Sequence, residues 1–188
     1  MKYFKKLLGE HIYLSPVSEE DVENYTKWMN DFETTDYIGQ STQIYTVEKE
    51  RRFLAKCSED KNEVTLGIVN LKTDKLIGNC GLKDINIISR TATLGIFIGE
   101  KEERSKGYGA EAIKLLLDFG FNYLNLHEIK LDVYEFNKRA IKCYEKVGFK
   151  EYGRRRECVY INGKYYDMIS MDILKEEFKE SYIKNKNI

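Results

Sequence analysis

Residues 94–110 read LGIFIGEKEERSKGYGA, and this stretch decides how the rest of the chain is interpreted. An apolar, strand-like run leads into a charged loop, and Gly107 and Gly109 then open an apolar helix. Glycines let the backbone approach a ligand closely, and the first turn of a helix offers unpaired N–H groups to an anion. Arg104 and Lys106 add positive charge beside them. The stretch therefore predicts a site for a phosphate or pyrophosphate.

Other interpretations of these glycines compete with that prediction. A plain turn before a packed helix explains Gly107 and Gly109 without any ligand. A Walker phosphate loop requires Gly-Lys-Ser/Thr, which the stretch lacks. Residues 107–112 fit a loose dinucleotide fingerprint, but that turn follows its strand directly within a βαβ unit, and here a charged loop intervenes. The plain turn and the dinucleotide fold stay open at this point.

Strand-like and helix-like segments alternate around this stretch. Strands are predicted over 11–17, 64–70, 76–87, 91–98, 128–134, 149–158 and 165–174, and helices over 18–30, 46–57, 107–123 and 137–147. The order indicates an antiparallel meander in the middle of the chain with helices packed on the sheet, which is an α/β or α+β single domain. We assign this domain to 1–174. Residues 175–188 are expected to form a charged tail with a short helix and a frayed end.

A second pattern lies at 137–149, where the chain reads NKRAIKCYEKVGF. Asn137 has the side chain of a helix N-cap, and Gly148 can end the helix. Ala140 and Tyr144 share one face at helical spacing. On its own, this pattern makes Tyr144 a core aromatic residue of an amphipathic helix.

The two patterns together resemble the GNAT superfamily of acyl-CoA N-acyltransferases. The resemblance is carried by R-x-x-G-x-G-A at 104–110 and by N-x-x-A with Y-x-x-x-G-F within 137–149, and it extends over about 11–174. The segments LHEI at 126–129 and YINGKYYD at 160–167 look like the branch of ribosomal-protein Nα-acetyltransferases and spermidine acetyltransferases. The resemblance implies a central, mostly antiparallel sheet, splayed strands that bind CoA, and helices on both faces.

The resemblance also implies an activity: transfer of the acetyl group from acetyl-CoA to a primary amine by direct attack in a ternary complex. Strand 94–98 would pair with the pantetheine arm, the amides of 104–110 would hold the pyrophosphate, and Tyr144 would protonate the leaving thiolate. An N–H near Phe97 or Ile98 would stabilise the developing oxyanion. The expected acetyl-CoA-binding residues are Phe97, Ile98, Gly99, Arg104, Ser105, Lys106, Gly107, Tyr108, Gly109, Ala110, Asn137, Ala140 and Tyr144, of which Tyr144 is also the expected catalytic residue.

One position departs from the family pattern. Many members carry a glutamate on the strand before the CoA loop, and here that position holds Thr93. An alkyl amine with a pKa of about 10.4 must lose a proton before it attacks. That proton would go to a water chain or to another acid, such as Glu157 or Asp167. Both acids also fit a plainer role as exposed or turn-stabilising residues, which we prefer.

The segment from 28 to 48 contains acidic and aromatic residues but no lysine or arginine. Its acids are Asp31, Glu33, Asp36 and Glu48, and its aromatic residues are Trp28, Phe32, Tyr37 and Tyr45. In the resembling family, the loop between the first two helices borders the acceptor cleft. We therefore expect Asp31, Glu33 and Asp36 to contact a cationic amine, such as a polyamine or a basic peptide N-terminus. A solvated acidic loop is the alternative.

Composition narrows the function classes further. The 188 residues contain 31 basic and 31 acidic side chains, so nothing attracts the whole chain to nucleic acid or an anionic membrane. Four cysteines without CxxC spacing and two histidines argue against a metal site and favour free thiols. Without a secretory signal or an apolar run of about 20 residues, we expect a cytoplasmic protein, with a homo-oligomer possible. Alternative functions are a catalytically silent CoA sensor, which Thr93 supports and Tyr144 opposes, and a dinucleotide oxidoreductase.

Overall fold

The computed structural model describes residues 2–57 and 59–185. Within them, one eight-stranded sheet has the order β1-β2-β3-β4-β5-β6-β8-β7. The strands are β1 (Leu7–Leu8), β2 (Ile12–Pro16), β3 (Val64–Asn70), β4 (Leu76–Asn86), β5 (Thr91–Ile98), β6 (Glu128–Tyr134), β7 (Lys150–Ile161) and β8 (Lys164–Leu174). The helices are α1 (Val22–Met29), α2 (Phe32–Thr35), α3 (Val47–Cys57), α4 (Tyr108–Asn122) and α5 (Lys138–Val147). Short 3₁₀ helices cover Glu19–Asp21, Lys101–Glu103 and Lys175–Glu177.

Strands β5 and β6 form a parallel pair within the sheet. Among the described strands, the other neighbouring pairs run antiparallel, whereas β5 and β6 are parallel. Their parallel register covers only residues 91–93 of β5 against 128–130 of β6. Beyond those three residues the two strands share no ladder, so their carboxyl ends are separated by a gap. The mixed, mostly antiparallel sheet confirms the predicted fold class, including the splayed strands.

Two apolar cores cover the two faces of the sheet. Strand residues alternate between the faces, so Ile12 and Leu14 join one cluster while Tyr13 joins the other. The first cluster contains the buried face of α4 together with Tyr144 of α5. The second contains residues of α1 and α3, including Trp28. Helices therefore cover both faces of the sheet, and the gap between the parallel strands β5 and β6 lies between these two helical layers.

Side chains cap three helix starts, among them the start at Asn137 that the sequence predicted. The hydroxyl of Ser18 accepts from the amide of Glu20 at 3.2 Å, and that of Thr46 accepts from the amide of Lys49 at 3.1 Å. The side-chain oxygen of Asn137 accepts from the amide of Ala140 at 3.2 Å. Each bond satisfies one of the N–H groups that a helix leaves unpaired in its first turn.

The structure also contains elements that the sequence did not predict. Strand β1 has two residues and α2 has four, which are too short for a periodic pattern. Strand β7 continues to Ile161 rather than ending at Cys158. A register shift lies within β7 between Arg155 and Val159, and this bulge lets the strand continue past a residue with positive φ at Glu157.

The charged tail differs from the expected short helix. After the 3₁₀ helix Lys175–Glu177, the described tail has no regular structure and packs against α4. The buried carboxylate of Asp118 accepts from the amides of Tyr182 at 2.6 Å and Ile183 at 3.0 Å, and the side chain of Ile183 is buried. Because these two amides donate to the side chain of Asp118 in α4, they do not form the hydrogen bonds to tail carbonyls that a helix would require. The expected frayed end falls partly on 186–188, outside the described residues.

Candidate active site

The gap between β5 and β6 presents backbone groups to a ligand. Gly99 donates to the carbonyl of Ile77 at 2.9 Å, which fixes the alternation of hydrogen bonds between β4 and β5. That alternation directs the backbone groups of Leu94, Ile96 and Ile98 away from β4. The Ile98 carbonyl accepts from Arg104, so Ile98 offers only its N–H to the gap. The groups of Phe97 bond β4 instead. An extended ligand in the gap can therefore pair with β5 as an added strand would.

The loop before α4 forms a second open backbone surface. Gly107 has φ +89° and Ser105 has φ +63°, so both lie in the left-handed region that turns the chain into the helix. A Cβ added at Gly107 or Gly109 would meet no described atom within 4 Å. Internal packing therefore does not require these two glycines. Open space above unpaired amides at the start of a 15-residue helix fits a pyrophosphate group.

Two residues that were expected to bind acetyl-CoA, Arg104 and Gly99, have partners within the chain. The amide of Arg104 donates to the carbonyl of Lys101 at 3.2 Å, and its guanidinium contacts the carbonyls of Ile98 and Gly99. A Cβ at Gly99 would lie 2.2 Å from the ring of Trp28, so packing against this ring requires the glycine. The available amides are thus those of residues 105–110.

Other residues of the predicted loop support it from the sides. The ammonium of Lys106 pairs with Glu103 at 3.0 Å and is half-exposed. The ring of Tyr108 packs against the core under α4, and its hydroxyl accepts from the side-chain amide of Asn70 at 3.4 Å. Ala110 follows in the first turn of α4 and is partly buried. Lys106 therefore supplies a cation near the loop, while Tyr108 anchors the helix start.

Asn137 and Ala140 lie at the start of α5, just after the carboxyl end of β6. The amide of Asn137 donates to the carbonyl of Tyr134 at 2.9 Å, and its side-chain oxygen caps Ala140. Asn137 also lines a cleft of about 370 Å³ together with Glu33, Tyr37, Arg104, Phe136, Lys138 and Arg139. The cleft brings residues of both sequence patterns and of the acidic segment to one place.

Tyr144 lies on the buried face of α5. Its ring packs 5.9 Å from that of Phe149, and the side chain is 9% exposed. No described residue hydrogen-bonds the hydroxyl, yet this oxygen is not among the fully enclosed ones. Burial raises the pKa of Tyr144 well above its ordinary value. The phenol therefore stays protonated and keeps its hydroxyl available to another group.

The acidic segment is partly neutralised by the fold. The ammonium of Lys101 lies 3.3 Å from Asp31 and 2.9 Å from Glu33. Segment 28–48 has no lysine or arginine of its own, so the cation that pairs with its acids belongs to the stretch before α4. Burial opposes ionisation of Asp31, but hydrogen bonds from Thr34 and Lys101 outweigh it and lower its pKa. Glu33 is exposed and borders the cleft, and Asp36 is half-buried at the end of α2.

Trp28, unlike the acids of the same segment, is buried. It is 2% exposed, donates from Nε1 to Glu100 at 2.9 Å and packs 5.9 Å from the ring of Phe97. The aromatic residue that borders the cleft beside Tyr37 is Phe136, whose ring lies 5.7 Å from that of Tyr37. The sequence offered one clue to Phe136, which is its position directly before the Asn137 cap.

Comparison with known proteins agrees with this geometry. Residues 11–150 match the family described as acetyltransferase (GNAT) domain. The chain belongs to the GNAT acetyltransferase family. A probable N-acetyltransferase, YjcK of Bacillus subtilis, is 32% identical over 180 residues, which are 91% of this chain and 98% of that protein. The spermidine N(1)-acetyltransferase of Vibrio cholerae is 41% identical over 103 residues, or 55% of this chain and 59% of that enzyme.

A solved structure extends the comparison to the whole fold. The V. cholerae spermidine N-acetyltransferase in complex with CoA and spermine superposes with a TM-score of 0.83 at 29% identity, covering 89% of this chain and 98% of that one. A further structure of that enzyme is described as dodecameric, with a TM-score of 0.73 at 28% identity and coverage of 89% and 96%. This GNAT chain is an acetyl-CoA-dependent N-acetyltransferase, as the sequence predicted.

Family membership excludes one of the alternatives left by the sequence, the dinucleotide oxidoreductase. The glycines follow a strand of an antiparallel meander, so the dinucleotide oxidoreductase is set aside. The described residues contain no group of three or more His, Cys, Asp or Glu side chains placed to hold a metal ion. Among the same residues, no helix combines the length and the apolar character that crossing a bilayer requires.

Thr93 and the two candidate acids lie in different parts of this GNAT fold, with Glu157 and Asp167 together at the bulge in β7. Thr93 is the last residue of β5 that pairs with β6, directly below the gap. The carboxylate of Asp167 accepts from the amide of Glu157 at 2.9 Å and from Arg154 at 3.2 Å, and these bonds lower its pKa. Asp167 therefore stabilises the bulge in β7, which agrees with the plainer role we preferred.

Two buried polar residues of the acceptor-side helix α2 and of helix α3 have no signal in the sequence. Thr34 of α2 is 4% exposed and accepts from Arg104 at 2.8 Å. Glu50 of α3 is 3% exposed, and burial raises the pKa of its carboxyl group. Neither has a sequence signal, because a threonine in a short helix and a glutamate in a charged helix are both usually exposed.

Proposed function

We propose that this N-acetyltransferase acts on a cationic primary amine, with a polyamine as the first candidate and a basic peptide N-terminus as the second. The observation that carries the proposal is the whole-chain likeness to an enzyme whose structure holds CoA and spermine. The exposed carboxylate of Glu33 and the ring of Tyr37 border the cleft, and both groups attract organic cations. Asp36 adds a further acid directly after the last residue of α2.

Acetyl-CoA supplies an acetyl group activated as a thioester, and the fold offers a surface to each part of it. The amides of 105–110 would hold the pyrophosphate. The strand groups of Leu94 and Ile96 would pair with the pantetheine arm, and Asn137 would add a side-chain contact. The N–H of Ile98 would stabilise negative charge that develops on the acetyl oxygen.

Tyr144 is the proposed proton donor to the departing sulfur. Its hydroxyl has no described partner and its phenol is kept neutral by burial, which suits a group that donates a hydrogen bond. Asp31 is the least suited of the three acids to contact the acceptor, since Lys101 and Thr34 occupy both of its oxygens, whereas the ion pairs of Glu33 with Lys101 and Arg104 both use Oε2. Glu33 and Asp36 are the better candidates.

We further propose that the chain assembles as a homo-oligomer. The support is the dodecameric description of the V. cholerae enzyme, which shares the fold over nearly its full length. Sedimentation velocity of the purified protein, with and without CoA, would detect such an assembly. A single monomeric boundary at all concentrations would exclude it.

An amine panel tests the proposed substrate class. The purified protein is mixed with acetyl-CoA and one acceptor at a time: spermidine, spermine, an aminoglycoside, or peptides with basic and with neutral N-termini. Free CoA thiol is then measured. Release with spermidine and spermine, at efficiencies well above the neutral peptide, supports the proposal. Thiol release that favours the neutral peptide would refute cationic selection, and CoA binding with no release for any amine would favour the sensor function.

A further inference from the structure

A nearly buried arginine joins helix α2 to the end of strand β5. The side chain of Arg104 is 13% exposed and lies among three oxygen atoms. Its Nε donates to the carbonyl of Ile98 at 3.0 Å, and one terminal nitrogen donates to the carbonyl of Gly99 at 3.2 Å and to Oγ1 of Thr34 at 2.8 Å. One guanidinium thus holds two carbonyls of a strand end and a hydroxyl of a separate helix.

Thr34 passes this contact into the rest of α2. Its hydroxyl, which accepts from Arg104, also donates to Oδ2 of Asp31 at 3.0 Å. On the outside, Lys101 contacts Asp31 and Glu33 through exposed ion pairs. Buried hydrogen bonds to a charged group contribute more to stability than exposed ion pairs do. The Arg104–Thr34 contact, called the latch below, is therefore the stronger part of this connection.

We propose that Arg104 is a positioning residue that couples α2, on the acceptor side of the cleft, to the end of β5. We further propose that Arg104 is not a ligand of the CoA phosphates. Its three hydrogen-bond partners are oxygens of this chain, and its other terminal nitrogen lies 4.0 Å from Oε2 of Glu33, so groups of the chain itself surround the guanidinium. The latch holds α2, and with it Glu33 and Tyr37, along the cleft. Acceptor affinity then depends on the latch. This inference rests on the proposed acceptor cleft, and its test separates the two.

Thr34→Val gives the sharpest test, because it removes the hydroxyl from the latch with little change in volume and Thr34 contacts none of the surfaces assigned to acetyl-CoA. Loss of a buried hydrogen bond to a charged group predicts a rise of about tenfold in the KM for the amine. The Kd for acetyl-CoA, measured by calorimetry, should stay within about twofold of the parent. Thr26→Val is the matched control, because within residues 2–57 and 59–185 the Thr26 hydroxyl bonds only the Val22 carbonyl of α1, at 2.8 Å.

Arg104→Gln tests the other half of the latch. It should raise the acceptor KM at least as much, and adding Thr34→Val to it should change that KM by no more than about twofold, because coupled residues are not additive. Arg90→Gln is the matched control, since Arg90 bonds two oxygens of Asn125 elsewhere in the fold. A loss of more than about tenfold in acetyl-CoA affinity for Arg104→Gln, with Thr34→Val silent, would make Arg104 a phosphate ligand and overturn the proposal.

Two further outcomes keep the proposal falsifiable. If Arg104→Gln does not fold, Thr34→Val decides alone, and an unchanged acceptor KM in that variant refutes the latch. If no amine is a substrate of the parent, the proposed function fails, but the latch still predicts faster hydrogen exchange of the amides of 32–36 in Thr34→Val than in Thr26→Val. Equal exchange in the two variants would refute it.

Discussion

Gly109→Asp isolates the interaction between the loop before α4 and the CoA phosphates. A Cβ at Gly109 meets no described atom within 4 Å, so the fold itself has room for a side chain. Gly109 is the second residue of α4, where an acidic side chain interacts favourably with the helix dipole by about 0.3–1 kcal/mol. The unliganded variant should therefore be at least as stable as the parent.

The same charge should weaken cofactor binding. Two unit charges about 4 Å apart interact by about 1 kcal/mol in water and about 4 kcal/mol at an effective dielectric constant near 20. The loop is partly exposed, so an intermediate repulsion of about 2 kcal/mol is expected, which corresponds to a loss of about 30-fold in acetyl-CoA affinity. Stability and affinity thus change in opposite directions, which general damage to the fold would not produce.

Gly109→Asn is the matched control, because it adds nearly the same volume without the charge. Isothermal calorimetry of the two variants with acetyl-CoA separates bulk from charge, and a thermal melt without ligand checks the fold. The affinity of the Asn variant should lie between those of the parent and the Asp variant. If Asp and Asn weaken binding equally, the phosphates do not lie near Gly109. If neither weakens it, the loop does not bind the cofactor at all.

The remaining predictions concern proton transfer, acceptor recognition and the tail. Tyr144→Phe should lower kcat by about 10² to 10⁴ while leaving acetyl-CoA affinity and Tm nearly unchanged, and a kcat within about threefold of the parent would return Tyr144 to a packing role. Amide replacement of Glu33 and Asp36 should raise the KM for spermidine by about fivefold, and added salt should mimic the effect in the parent; a KM indifferent to both treatments would leave these acids only solvated. Asp118→Asn should weaken the docking of the tail and lower the unfolding free energy by about 2 kcal/mol, or Tm by about 4–8 °C in a melt, and an unchanged Tm would show that the tail does not stabilise the domain.

Local sequence signals predicted the parts of this fold that local interactions determine. The Asn137 cap and the glycine loop at 104–110 are stretches whose backbone geometry follows from a few neighbouring residues. The gap between β5 and β6 came from the family resemblance, since strand pairing between residues far apart in sequence has no local signal. The long, apolar helix α4 was predicted within a residue or two at each end.

Contacts that depend on the tertiary fold could not be predicted in this way. Arg104 follows a charged loop, and only the folded chain shows that its guanidinium meets Thr34 some 70 positions away. The buried carboxylate of Asp118 similarly captures amides of the tail, which overrides the helical tendency of the charged sequence there. Trp28 looked like a surface aromatic beside acids, because nothing in the segment indicated that Gly99 leaves room for its ring.

The position of Thr93 is easier to understand when the protons of the reaction are counted. An amine with a pKa of about 10.4 must lose its ammonium proton before it attacks. Thr93 has no carboxylate, and Glu157 and Asp167 lie together at the bulge in β7, so we assign this proton to solvent. After attack, the amine nitrogen releases one more proton, and the departing thiolate takes up one. The hydroxyl of Tyr144 is suited to stand between these two events. Because the ordinary pKa of a phenol already exceeds that of a thiol and burial raises the pKa of Tyr144 further, complete transfer from Tyr144 to the sulfur is unfavourable unless the tyrosine is reprotonated at the same time. The proton released by the nitrogen can do this through water, so this step needs no carboxylate to store it.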